Sequence, residues 1–239
     1  MRIDVFSIFP KLIEAFAGES ILGRTIDKGL LELNCHDIRV GANDNHQSVD
    51  DSPFGGGAGM VLKPEPIFEI VEQVKPQRPI FLLSPTGSVF DQAKAIELSE
   101  LGGFSLLCGR YEGVDQRVKD HLIDEELSVG NFILSGGEIA ALLVIESVTR
   151  LLPGAMGNSE SSKEESFSNG LLEYPHYTRP WNFQGYTPPE ILRSGDHEQI
   201  RQWRKAMSLK VTLEKRPDLI TARGGLTEEE KNLIEKKWD

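Results

Sequence analysis

Three stretches decide how this chain reads: LSPTG at 83–87, CGRYEG at 108–113 and SVGNFILSGGE at 128–138. Each is joined to a short apolar run, at 80–83, 104–108 and 129–134, of the length and character of a buried strand. Each loop then opens at a strand end, where α/β proteins bind ligands. Loops so rich in glycine present backbone rather than side chains, so the three together predict one small-molecule pocket walled largely by amides and carbonyls.

The rest of the chain falls in place around them. Periodicity predicts a strand over 2–8, helices over 10–16 and 20–28, and a strand over 31–39. A polar, turn-rich segment follows, GANDNHQSVDDSPFGGGAGM at 41–60, with Gly55, Gly56, Gly57 and Gly59 close together. Helices are predicted over 66–74, 92–101, 114–126 and 138–152. This βαβα order implies an α/β fold with a largely parallel sheet covered by helices. After Pro153 the character changes. Residues 154–170, GAMGNSESSKEESFSNG, have almost nothing to bury and read as a linker. Beyond lies a proline- and aromatic-rich stretch and helical patterns at 189–193, 196–213 and 227–237. Asp196 with Gln199, and Thr227 with Glu230, have the spacing of capping boxes.

Composition sets limits. The chain has 239 residues and a formal net charge of −11, which argues against a general nucleic-acid binder. The average conceals a patch: between Arg193 and Arg216 there are seven basic residues against three acidic ones, either an RNA-contacting surface or a solvated helix face. Cys35 and Cys108 are too few for a disulfide framework and lack metal-ligand spacing, and no HxxxH pair occurs among the five histidines. No apolar run approaches the roughly 18–20 residues of a membrane span, and MRIDVFSIFP lacks a signal pattern, so a cytoplasmic location is expected. The loop at 55–59 is neither a P-loop nor a dinucleotide fingerprint. Its neighbours Asp50 and Asp51, and the Arg110 and Glu112 of CGRYEG, are charges on tight loops, where positioned residues concentrate, although the latter two also fit a surface ion pair.

In order along the chain, VDDSPFGGGAGM, LSPTG, CGRYEGVDQRV, SVGNFILSGGE, ESVTRLLPG, EESF and GLLEYPHYTRP resemble the bacterial tRNA (guanine-N1)-methyltransferase family, whose members modify the guanine 3′ to the anticodon, position 37. The resemblance covers nearly the whole chain. It implies a SPOUT-class fold with a deep trefoil knot at 1–157, a linker at 158–170 and a small helical tRNA-binding domain at 171–239. It also implies S-adenosylmethionine as methyl donor and a homodimer in which the linker of one subunit closes over the cofactor of the other. A Mg²⁺ dependence is implied too, although the sequence carries no ligand cluster for it.

By the same resemblance the cofactor lies against Leu83, Ser84, Pro85, Gly87, Gly109, Gly113, Val129, Phe132, Ile133, Leu134, Gly136 and Gly137. The catalytic residues it implies are Arg150, Glu165 and Glu112, with Arg110 shaping the site. Asp50, Gly59 and Met60 would approach the target guanine and its 5′ neighbour. His176, Tyr177 and Arg179 would sit near the active site, and Arg201, Arg204 and Lys205 would follow the anticodon-stem phosphates. The PHYTRP segment is also open, with less weight, to a reading as a proline-rich docking segment, whereas without the resemblance Arg150 reads as a helix-terminal cation and Glu165 as a solvated charge.

The chain departs from the family pattern at Glu165, where aspartate is usual, and more mildly at Ala58, Phe132 and Ala140. A carboxylate remains at the position of the base. The competing readings are a relative that binds RNA without catalysis and a SPOUT methyltransferase acting on another RNA. The second would not need VDDSPFGGGAGM or PHYTRP.

Overall fold

The computed structural model describes residues 1–157 and 165–238. The chain divides into two compact units, 1–157 and 158–239. The first is built on five parallel strands: β1 (Arg2–Ser7), β2 (Glu32–Asp37), β5 (Ile80–Val89), β6 (Gly103–Cys108) and β7 (Glu125–Ser128), in the order β2-β1-β6-β5-β7. A separate antiparallel ribbon joins β3 (Asp50–Asp51) to β4 (Val61–Leu62).

Strand alternation divides the core into two layers. Ile3, Val5, Phe104, Leu106 and Cys108 share one cluster with the buried side of α6 (Glu138–Thr149) and with Ile13 and Leu22 of α1 (Pro10–Ala17) and α2 (Ser20–Asp27). Phe6, Ile80, Leu82 and Leu107 face the other way, against α3 (Pro64–Val74) and α5 (Gln116–His121). β6 is buried along its whole length, as a central parallel strand must be. α4 (Gln92–Ser99) completes the first layer, its N-terminal turn capped by Asp91, which accepts from the Lys94 N–H at 2.9 Å.

Three expectations from the sequence are corrected. LSPTG is not a loop leaving a strand: β5 runs on to Val89, with a register jump between Leu83 and Ser88 opposite Leu127 that leaves 84–87 bulged. The helix expected over 114–126 is only Gln116–His121, because the chain is captured at Asp124, whose N–H donates to Ile80 O at 2.9 Å and whose carboxylate accepts from the Ile80 N–H at 2.7 Å. The edge strand therefore lies at Glu125–Ser128, and 129–134 is not a strand at all. Gly130, at φ +140, breaks the extended run there, and Ile133 is 81% exposed.

The second unit contains α7 (His197–Lys215), α8 (Pro217–Ala222) and α9 (Glu228–Glu235), packed on Leu171, Leu209 and Ile220. The Leu172 N–H donates to the Thr212 hydroxyl at 2.8 Å, tying the preceding segment to α7. The Thr227 capping box forms in both directions. Asp196 caps α7 by accepting from the Gln199 N–H, but the Gln199 side chain returns to the Asp196 carboxylate rather than to its backbone, so that box is half made. α8 escaped the sequence reading, although Pro217 in its first turn is a start signal.

Candidate active site

The three glycine-bearing segments converge at the C-terminal ends of β5, β6 and β7 and enclose a cavity of about 480 Å³, within the range of small-molecule sites. Leu83, Ser84 and Pro85 line it from the bulge of β5, Gly109 and Gly113 from the loop after β6, and Val129, Phe132, Ile133, Leu134, Gly136 and Gly137 from the segment before α6. Gly87 stands apart. A Cβ there would lie 2.4 Å from Leu127 N, so Gly87 is required by the contact of β5 with β7 and not by the cavity. Gly130, Ser135, Gln116 and Lys119 also line it, and nothing in the sequence singled them out.

The cavity wall is sewn together by backbone. The Gly137 N–H donates to Gly109 O at 2.9 Å, and Arg110 forms an isolated bridge with Gly136. Gly136 and Gly137 pass so close to the β6 loop that a Cβ on Gly137 would sit 2.8 Å from Cys108 Cα. At Gly109, by contrast, the nearest atom to an added Cβ is Leu83 O at 3.8 Å, so its backbone borders open space.

Arg110 does not pair with Glu112. Its Nε donates to Glu138 at 3.0 Å, Glu138 is 1% exposed and also accepts from the Ser7 hydroxyl at 2.7 Å, and the guanidinium lies 4.6 Å from the centre of the Phe9 ring. Glu112 instead lies against the glycine-rich loop: its N–H donates to Met60 O at 3.0 Å, and its side chain occupies the space a Cβ on Gly59 would need. Asp50 sits at the foot of the same loop, opposite Leu62 in the ribbon. Glu112, Gly59 and Met60 are thus brought together, as are the cofactor-loop residues.

At the rim, Thr86 and Lys119 both donate to Glu126, at 2.6 and 2.9 Å. Burial would raise the Glu126 carboxyl, but these donors outweigh it and hold the group below its ordinary range. Both thiols are pushed up by burial, Cys35 to about 12 and Cys108 well above its usual value, so neither is an activated nucleophile. Among the described residues no group of three or more His, Cys, Asp or Glu side chains is placed to hold a metal ion, and no helix is long and apolar enough to cross a membrane.

Arg150 follows the last turn of α6 in the first unit, whereas Glu165 belongs to the second. Glu164 lies outside the described residues, as does the linker over 158–164. In the second unit His176 pairs with Glu173 at 2.8 Å and lies beside Tyr174, Tyr177 lies beside Trp203, and Arg179 is in the irregular stretch between them. The basic patch is largely engaged. Arg201 pairs with Glu198, Lys205 with Glu230 at 3.3 Å and Arg216 with Asp218 at 2.7 Å, while Arg204 lies 5.0 Å from the Tyr174 ring centre.

A sequence profile described as tRNA (Guanine-1)-methyltransferase TrmD matches residues 1–222. The chain belongs to this family. It is accordingly a methyltransferase enzyme, and its relatives agree along their length. A protein of Dehalococcoides mccartyi named tRNA (guanine-N(1)-)-methyltransferase is 50% identical over 224 residues, covering 92% of this chain and 90% of the relative. Proteins of the same name from Moorella thermoacetica and Caldanaerobacter subterraneus are 47% and 48% identical; each alignment covers 99% of this chain, and 96% and 98% of the respective relative. These family members thus match both the cavity-bearing unit and most of the helical one.

Proposed function

We propose that this enzyme methylates N1 of the guanine at position 37 of tRNA, 3′ to the anticodon, with S-adenosylmethionine as donor. The observation that carries the reading is the convergence of three loops on one backbone-walled cavity, in a chain of this family. The residues present fit that cofactor: the cavity is large enough, and the exposed backbone at Gly109 offers polar groups without a side chain in the way. Leu83, Ser84 and Pro85 would hold it from one side, Gly109 and Gly113 from a second, and the segment from Val129 to Gly137 from a third. When bound, S-adenosylmethionine supplies an electrophilic methyl carbon.

Guanine N1 carries a proton and is a poor nucleophile. A base must take that proton as the new N–C bond forms, and a cation must stabilise the charge that moves onto O6. Glu165 is the proposed base and Arg150 the proposed cation, each retained in residue type or charge. Glu112 is the carboxylate that orients the glycine-rich loop, through its packing on Gly59, so that Asp50, Gly59 and Met60 face the base. Arg110, held by Glu138, which Ser7 in turn holds, acts as a brace for the cavity wall.

We read the fold as the trefoil knot of the SPOUT class. The close passage of 136–137 against 108–110 supports it. A homodimer is supported by an exposed apolar face on the first unit: Leu12 and Phe16 of α1, with Ile139 and Leu143 on the neighbouring α6. Helices α7–α9 form the proposed tRNA-binding domain, with Arg201, Arg204, Lys205, His176, Tyr177 and Arg179 as its contacts.

Methyl transfer to unmodified tRNA transcripts tests the function. With guanine at position 37 the product is expected to be N1-methylguanine at that position alone; with adenine there, no methyl group is transferred. Methylation at another position, or of the adenine transcript, would overturn the reading.

A further inference from the structure

Phe54 is 97% exposed, the most exposed of the large apolar side chains in the described residues. It stands near the tip of the loop between β3 and β4. Although the tip is open, its foot is fixed: the Leu62 N–H donates to Gly113 O and the Asp115 N–H to Leu62 O, each at 3.0 Å, and Glu112 is bonded to Met60. The loop that carries the ring is therefore anchored by a stem that shares its hydrogen bonds with the cavity's own loop.

Among the described residues the space around the following glycines is open. Gly55 and Gly56 have positive φ, and an added Cβ on either would meet no atom within 4 Å. A flat partner can approach the ring without displacing a side chain. The chemistry of the segment narrows what that partner is. Residues 41–62 contain Asp44, Asp50 and Asp51 but no lysine or arginine, and the adjoining Lys63 lies within electrostatic reach of Asp44, so the loop itself offers no free cation for a phosphate. Unpaired bases are recognised by stacking on aromatic rings, a contact that needs no cation.

We propose that Phe54 is a stacking platform for an unpaired nucleobase flanking the target guanine, an inference that rests on the tRNA-methylation reading above. Turning a base out of the anticodon loop for reaction leaves its neighbours without their stacking partner. Phe54 would take that place for one of them, holding the loop open while the target guanine occupies the site.

The test uses the full-length enzyme with Phe54→Leu, which keeps an apolar side chain but removes the ring, and Phe54→Trp, which keeps a stacking face. Phe54→Leu is expected to raise the KM for tRNA roughly 10-fold, while the affinity for S-adenosylmethionine and the oligomeric state stay as in the wild type and Phe54→Trp restores the KM. The direct readout is fluorescence from transcripts carrying 2-aminopurine at either position flanking the target guanine. Binding should quench one of the two in the wild type and in Phe54→Trp, and much less in Phe54→Leu. Equal KM and equal quenching in wild type and Phe54→Leu would overturn the proposal. So would a Phe54→Leu dimer that dissociates in sedimentation, which would make Phe54 a protein contact. A wild-type enzyme that leaves guanine unmethylated would instead remove the reading beneath the inference.

Discussion

The cavity of the first unit and the basic face of α7 are the two surfaces proposed to bind ligands, and they are made of different material. The cavity draws on backbone at the glycines 109, 113, 136 and 137, beside apolar side chains such as Leu83 and Phe132, with amide-to-carbonyl bonds such as Gly137 to Gly109 holding its wall. The face of α7 is made of long side chains, and most of those already have partners within the chain, Arg201 in Glu198 and Lys205 in Glu230. A backbone site is rigid and costs little side-chain entropy to use, whereas a paired cation must leave its carboxylate before it can serve a phosphate. The difference teaches that a count of basic residues overstates an RNA-binding surface, while a run of glycines understates a pocket.

The largest effect separates chemistry from both kinds of binding. Glu165→Gln keeps the shape of the proposed base but cannot accept the N1 proton, so single-turnover methyl transfer should fall by roughly 10²- to 10⁴-fold with cofactor and tRNA affinity little changed. Glu165→Asp, the usual residue of the family, should retain or raise the rate. If Glu165→Gln stays fully active, this carboxylate is not the base.

A smaller effect probes the α7 face directly. Replacing Arg201, Arg204 and Lys205 with alanine is expected to weaken tRNA binding roughly 10-fold, and to lower the slope of log affinity against log salt by less than three, since Arg201 and Lys205 are already paired with carboxylates. A loss of three full units would mean that the ion pairs with Glu198 and Glu230 do not persist in solution. An unchanged slope would make the face a merely solvated one.

The smallest effect concerns stability. Burial would raise the Glu230 carboxyl, but the Arg223 guanidinium, the Thr227 N–H and Lys205 outweigh it and hold it below its usual range. A lowered folded-state pKa contributes stability that is present above the unfolded value, near 4.3, and is lost as pH falls through the folded value. Lys205→Ala removes one of these partners and should move acid unfolding of the second unit to slightly higher pH. All three tryptophans, Trp181, Trp203 and Trp238, lie in that unit, so their fluorescence reports it selectively. A midpoint that does not move would show that Lys205 contributes nothing to Glu230.

How far the sequence foretold all this follows from the same contrast. The cavity-forming segments were legible because glycine and proline mark them locally, and eleven of the twelve residues named in them do line the cavity, although 84–87 is a bulge within β5 rather than a loop at its end. The twelfth, Gly87, has a local signature identical to the others, and only the opposite strand reveals that it serves β7. The segment 129–134 read as a strand because it is apolar. The pairing that defines a strand was already taken by Glu125–Ser128, a non-local fact. The pairing of Arg110 with Glu138 was not legible, because the two lie twenty-eight residues apart in sequence. The partners of Arg201 and Lys205 show two cases: Glu198 is three residues off and visible, Glu230 is not.

The central claim is that the three loops hold the methyl donor by backbone, and Gly109 is where it is most exposed to test. Gly137→Val is unsuitable, because its side chain would strike Cys108 and damage the fold before any ligand arrived. At Gly109 an added Cβ has Leu83 O as its nearest neighbour, at 3.8 Å, and the residue lines the cavity, so a side chain there encroaches on it before it strikes the fold. Isothermal titration of wild type and Gly109→Val with S-adenosylmethionine, alongside thermal melts, is therefore decisive. The account predicts that wild type binds, and that Gly109→Val melts close to wild type yet loses at least about 10²-fold in affinity. A folded Gly109→Val that binds S-adenosylmethionine as tightly as wild type would contradict it.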